Sequence, residues 1–145
     1  MMTLNSKLLG WTALFCLATS SCRDGEPDHV QVQHILIGFQ GTVPGKAITR
    51  TRDEAETLAK KLADQARAKD ADFLELVKKF TDDSAPGIYG MSNNGVAPAA
   101  GEFPRGRLVP SFGDTSFKLK VGEVGIAAFD PAKSRYGFHV IKRIR

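Results

Sequence analysis

Two histidines, His34 and His139, have the strongest claim to chemistry in this 145-residue chain. Each sits in a short run of alternating apolar and polar side chains, so each imidazole is expected on a strand, mostly out of water and in need of a hydrogen-bond partner. They could serve one another. Periodicity alone favours a plainer reading, two core histidines each satisfied by some neighbour. Two His and an Asp, here Asp83, can also form a facial triad for a non-haem metal. The three lie far apart in sequence and no cysteine or further carboxylate joins them, so neither a metal nor another cofactor is expected. No elbow motif surrounds any serine, and Cys22 lies beside a polar segment, so no nucleophile stands out either.

The second chemical feature is an apolar run set among turn formers. Gly101, Pro104, Gly106, Pro110 and Gly113 fix sharp turns, while Phe103, Leu108, Val109, Phe112 and Phe117 are too many large apolar groups for a solvated loop. They must cover a core or line a pocket. Core packing is open for Leu108 and Phe112, and Phe103, Phe117 and Leu119 are assigned to the core.

These residues need elements to hold them. From Val30 the pattern alternates, with Val30, Val32, His34 and Leu36 on one face and Gln31, Gln33, Ile35 and Ile37 on the other, which predicts a strand buried on both faces at its end. Gly38 to Ile48 reads as a loop. Thr51-Arg52-Asp53-Glu54 offers a capping box, and Ala55, Leu58, Ala59, Leu62, Ala63 and Ala66 follow at helical spacing. Asp72 with Glu75 three residues later, then Phe73, Leu76, Val77 and Phe80, predict a second helix ending near Thr81-Asp82-Asp83-Ser84. Residues 85–100 are dense in Gly, Pro and Asn and are expected to form a mobile surface loop. Residues 109–119 make a plausible short helix after Pro110, although Gly113 weakens it; residues 124–129 and 138–144 read as strands with a turn between. Strand, helices, then strands with short connections predict an α+β domain with a mainly antiparallel sheet.

Length and composition bound the whole. At 145 residues, 42% hydrophobic and a formal net charge of +4, one compact domain is expected, over residues 29–145. Residues 1–21 hold one cation, Lys7, an apolar run from Leu8 to Ala18 and small residues before Cys22. That is the pattern of an export signal, too short for a permanent span. It resembles a bacterial lipoprotein signal, in which Cys22 becomes the acylated first residue; the alternative is an unmodified thiol with cleavage nearby. Cys16 would leave with the signal, so the mature chain has no internal disulfide and must be held by its core. Residues 23–28 read as a tether. The positive charge is spread out, and no basic block or aromatic platform points to nucleic acid.

The run Gly101 to Val124 resembles the signature of the parvulin-type peptidyl-prolyl isomerases, approximately G-x-F-x-x-G-x-M/L-V-x-x-F-x-x-x-x-F-x-L-x-x-G-E-V/I. The resemblance extends to His34-Ile35-Leu36-Ile37 and to Tyr136-Gly137-Phe138-His139-Val140-Ile141-Lys142, and so covers the chain from about Val30 onwards. It implies a sheet of four strands with four helices around it, and a non-covalent isomerase of X-Pro bonds acting on proline-containing segments of unfolded or exported proteins. On the resemblance, His34 and His139 adjoin at the centre of the site, Asp83 stands near the substrate carbonyl, and Leu108 and Phe112 receive the proline ring. Asp82 beside Asp83 leaves that register open by one residue. Tyr136 and Ala100 are implied at the pocket. The family usually has a shorter connection ending in G-D-L-G, where this chain has Ala99-Ala100-Gly101, so a pocket-wall leucine is reduced to Ala100. Some parvulins prefer phosphorylated Ser/Thr through basic residues directly after the first strand; Gly38-Phe39-Gln40-Gly41 supplies none, and Arg50 and Arg52 lie further on, so an unmodified peptide is expected. An exported, lipid-anchored, monomeric folding helper of the cell envelope is the resulting expectation. The rival from another class is a peptide-binding chaperone module without useful catalysis, which the loss of the wall at Ala100 favours.

Overall fold

The computed structural model describes residues 25–145. The signal-like segment and Cys22 lie outside the described residues. The elements run β1 (His29–Ile37), α1 (Arg52–Arg67), α2 (Phe73–Phe80), β2 (Ile88–Ser92), β3 (Glu102–Pro104), a 3-10 turn (Arg105–Arg107), α3 (Pro110–Lys118), β4 (Val124–Ala127) and β5 (Phe138–Arg143). The sheet order is β3-β2-β1-β5-β4. All pairs are antiparallel except β2 with β3.

The α+β class and mainly antiparallel sheet are as expected, but the element count is corrected. Among the described residues the sheet has five strands and carries three α-helices, where four and four were expected. Reading the residues alone missed β3, and also β2 within residues 85–100, where a mobile surface loop was expected. Turn formers do crowd both ends of that segment, yet Ile88–Ser92 between them pairs with β1 from His29↔Ser92 to Gln33↔Ile88. Gly87 makes the approach feasible. It has φ of +66°, and a Cβ there would stand 2.6 Å from the His34 carbonyl oxygen, so only glycine lets the chain turn in so close. The strand is then pinned by the His34 N–H donating to the Gly87 carbonyl at 2.9 Å.

β1 occupies the middle of the sheet because both its faces are apolar. Ile35 and Ile37 join Phe138 and Val140 of β5 beneath α1 and α2. Val30 and Val32 face the other way, packing with Ile141 and Met91 against Phe112 and Phe117 of α3. α1 begins as expected, with Thr51 and Glu54 exchanging side-chain and backbone bonds in a capping box, and its buried stripe of Ala55, Ala59, Leu62, Ala63 and Ala66 lets the helix lie close on the sheet. Asp72 caps α2 by accepting from the Glu75 N–H. Phe117 is in the core, and Leu119 packs against it. Phe103 is corrected: on the edge strand β3 it is 47% exposed, so it does not belong to the core.

The segment before β1 is also more than a free spacer. Glu26 pairs with Arg105 at 2.6 Å, and the Asn93 side chain donates to the Pro27 carbonyl at 3.0 Å. Arg105 in turn reaches Asp114 of α3 at 2.7 Å and lies over the Phe117 ring. Its guanidinium thereby fastens the end of the expected tether to the α3 side of the sheet.

Candidate functional site

The face of the sheet beneath α3 carries the site. In the β1–β5 ladder His34 pairs with Ile141 and Leu36 with His139, so His34 and His139 are diagonal neighbours pointing to the same side. Both are buried, at 3% and 5% exposure. Their Nδ1 atoms stand 3.3 Å apart and their rings are stacked with centroids 5.4 Å apart. The expectation that they serve one another therefore holds, together with the expectation that each is a core residue. Gly137 allows β5 to start where it does. Its φ is +135°, and a Cβ would fall 2.2 Å from the Ile37 carbonyl oxygen.

Asp83 and Asp82 separate cleanly. The Asp82 carboxylate accepts from the Gly38 N–H at 2.8 Å and pairs with Arg50, which also donates to the Gly38 carbonyl at 3.0 Å. Thr81 joins the same seam, accepting from the Leu36 N–H at 3.1 Å. These bonds stitch the turn after α2 to the end of β1 and turn Asp83 towards the histidines. Asp83 Oδ2 lies 3.3 Å from His34 Nε2 and accepts from the Tyr89 hydroxyl at 3.2 Å. The His34 contact is too bent for a straight hydrogen bond, which leaves Nε2 without an aligned partner.

The protonation pattern follows from this order. The contact with His34 is the largest influence on the Asp83 carboxyl; burial opposes it, and the Ser84 N–H, the His34 charge and Tyr89 assist, with the result that the pKa falls to about 2. Asp83 is thus an acceptor at neutral pH. That carboxylate places a proton on His34 Nε2, which faces it, and the two Nδ1 atoms, 3.3 Å apart, share one proton between them. His139 is held neutral, its pKa pushed to about 3 by burial first, then by the His34 charge, with Asp83 opposing. Its Nε2 has no partner among the described residues. Burial, then the Asp83 charge, raises the Tyr89 phenol above its ordinary value.

Above the histidines the wall is apolar. Phe112 of α3 is 4% exposed and sits edge-on to both His34 and His139, at 5.1 and 5.4 Å between centroids. Leu108 and Val109, between the 3-10 turn and α3, continue the wall, and a cavity of about 240 Å³ opens between them. Tyr89 closes another side. It is edge-on to His34 at 5.2 Å and to Phe112 at 5.7 Å, and the exposed ring of Phe103 tilts against it at 5.9 Å.

Residues 17–144 match the family model described as the PPIC-type PPIASE domain. The chain belongs to that family. This PPIC-type domain is 40% identical over 119 residues to the foldase protein PrsA of Geobacillus kaustophilus, covering 82% of the chain and 32% of that protein. It is 34% identical over 115 residues to the chaperone SurA of Pseudomonas fluorescens, covering 79% of the chain and 22% of that protein. Among solved structures, the peptidyl-prolyl isomerase ESS1 from Candida albicans superposes with a TM-score of 0.60 at 26% identity, over 81% of the chain and 63% of the other. The chain therefore spans less than a third of SurA and just under a third of PrsA.

In this PPIC-type domain, His34, Asp83, His139, Leu108, Phe112 and Tyr136 all line the one cavity. Ala100, expected in the pocket wall, is exposed in the turn before β3 and does not line it. Tyr89 does, and sequence reasoning missed it. The signal was present: between Gly87 and Asn93 there is no proline, and Tyr89 and Met91 are spaced by two, as side chains sharing one face of a strand must be. Of the two arginines after the first strand, Arg50 is tied to Asp82, and Arg52 lies over the Phe129 ring.

Proposed function

We propose that the chain is a peptidyl-prolyl cis-trans isomerase that assists the folding of exported proteins. The observation that carries this reading is the pairing of His34 and His139 beneath an apolar cup with the Asp83 carboxylate at its edge. The sequence likeness to a foldase and a chaperone supports the role in folding. Rotating an X-Pro bond removes amide resonance, a barrier of about 18–20 kcal/mol, and breaks no bond. A site needs only to hold the ring, exclude water and favour the twisted amide over the planar one. A pyrrolidine ring is apolar and donates no hydrogen bond, so Phe112, Leu108 and the Tyr89 ring are a sufficient receptor. Tyr136 borders the cup, Asp83 sets the field near the carbonyl, and the histidine pair forms the floor, the two rings in contact through their Nδ1 atoms.

The rival is a module on the same fold that binds peptide without accelerating rotation. It drew its support from the missing wall at Ala100. With Tyr89 forming a wall of the cavity, that support is removed. We further propose that residues 1–21 are an export signal, that Cys22 is acylated and holds the protein at the bacterial cell envelope, and that the mature protein works as a monomer on unmodified proline-containing segments.

A protease-coupled isomerisation assay on X-Pro peptides tests the main reading. Wild-type protein should accelerate an exchange that otherwise takes about tens to hundreds of seconds. No acceleration on any of a panel of peptides, with aggregation of an unfolded client still suppressed, would replace the enzyme with its rival.

A further inference from the structure

We propose that the cup continues into a basic subsite that takes a carboxylate-bearing side chain next to the substrate proline. This rests on the reading of the cup as a proline receptor. Beside the cup lies a second depression of about 320 Å³ that shares Leu108, Val109 and Tyr136 with it and is rimmed by Arg107, Lys133 and Arg135. The three cations are exposed. Among the described residues none of them has a carboxylate within ion-pairing distance. The nearest acid in sequence, Asp130, is engaged otherwise: its carboxylate accepts from the Ala132 and Lys133 N–H groups, both at 2.8 Å.

Two contacts fix the rim to the cup. The Ser111 N–H at the start of α3 donates to the Lys133 carbonyl at 3.0 Å, which ties the β4–β5 turn to the helix carrying Phe112. The Arg135 guanidinium lies 4.9 Å over the Tyr136 ring and donates to its hydroxyl at 2.8 Å. A peptide whose proline ring occupies the cup thus has its neighbouring residues on one side directed over Leu108, Val109 and Tyr136 towards three exposed cations. The cup itself is lined by the opposite charge, the Asp83 carboxylate. The groove is polarised along its length, and an acidic residue is favoured on one flank of the proline only. Positive charge that is spread out along the sequence gathers in part where a substrate chain must pass. A membrane surface would also attract these cations, but a concave rim continuous with the cup suits a single side chain better than a flat array of headgroups.

The test uses peptides with one proline and Glu, Gln or Lys placed in turn at the two positions before and the two after it. Binding is read by fluorescence anisotropy and turnover by exchange NMR. At one flank Glu should bind about threefold or more tightly than Lys at low salt. High salt should reduce the preference, and Arg107→Gln/Lys133→Gln, which leaves the Arg135–Tyr136 contact in place, should abolish it while Gln peptides bind as to wild type. Equal binding of Glu, Gln and Lys peptides at every position overturns the proposal. So does a preference that survives in the double variant, or a double variant that loses only its binding to anionic vesicles. Lack of acceleration on every peptide would instead remove the isomerase reading, and the anisotropy series would still decide the subsite.

Discussion

Acidification should destabilise this fold through His139. The folded imidazole has a pKa of about 3, for the burial reasons given above, whereas an unfolded histidine takes up its proton near 6.5. Because the folded value is the lower one, the unfolded chain binds more protons as the pH falls below about 6.5, and stability must drop with it. The contribution is present in full above that pH and is lost on the way down to about 3. At about pH 5 the unfolded histidine is almost fully protonated and the folded one is not, a gap of about 1.5 pH units, or about 2 kcal/mol. Asp83, whose folded value is also depressed, contributes stability that disappears only below about pH 4, so the two windows are separable. Urea unfolding at constant ionic strength between about pH 7.5 and 5 should therefore show the midpoint moving down by roughly 1 M. His139→Gln, whose amide can still donate to His34 Nδ1, subtracts the other titrating groups: its profile should be flatter by about that amount. Parallel profiles for the two proteins would refute the reasoning.

Phe112→Ala should cost about 3 kcal/mol or more of stability, since a buried ring is removed; in protein that remains folded by urea titration, peptide affinity and kcat/KM should fall together, and unchanged affinity would put the ring pocket elsewhere. Tyr89→Phe keeps the wall and loses only the bond to Asp83, so peptide affinity should stay within about twofold, while Tyr89→Ala should weaken it about tenfold; equal affinities for the two variants by anisotropy would mean the ring is not a wall. Asp83→Asn, with a side chain 35% exposed, should be cheap in unfolding free energy, about 1 kcal/mol or less, yet lower kcat with little change in KM. Full activity in that variant would remove Asp83 from the site. Cys22→Ser should move the protein from the membrane fraction to the soluble one, acyl burial being worth about 0.8 kcal/mol per CH₂, and identical partitioning of both forms would exclude the anchor.

The elements legible in the sequence were those whose signal is local. β1, α1 and α2 each carry a complete period, and the caps at Thr51 and Asp72 start their helices where the residue types require. What was not legible is pairing. β2 is a strand because β1 offers it an edge 55 to 63 residues away in sequence, and short-range turn propensity is overridden by that ladder. Phe103 failed for the opposite reason: an apolar side chain on a three-residue edge strand has no second layer to cover it. The histidines show the limit of periodicity. It put each of His34 and His139 on a strand and mostly out of water, but only the resemblance to a family singled out their partnership, because a diagonal contact between β1 and β5 depends on a register that neither strand contains by itself.

The missed strand also sets the sign of what Asp83 can do. Tyr89 comes from β2, and its hydroxyl together with the His34 N–H side faces the Asp83 carboxylate, so two donors stabilise the anion without neutralising it. On the proposed reading this anion stands near the carbonyl of the bound X-Pro bond. A planar amide carries negative charge on that oxygen through resonance, and a twisted amide carries less. A fixed carboxylate there disfavours the planar ground state more than the twisted transition state, which lowers the barrier without any proton being moved. A positively charged histidine pair would cancel the effect. Burial of His139, which costs the fold stability in acid, is what keeps that residue neutral, and the same desolvation that makes the domain acid-sensitive therefore preserves the field at the edge of the cup.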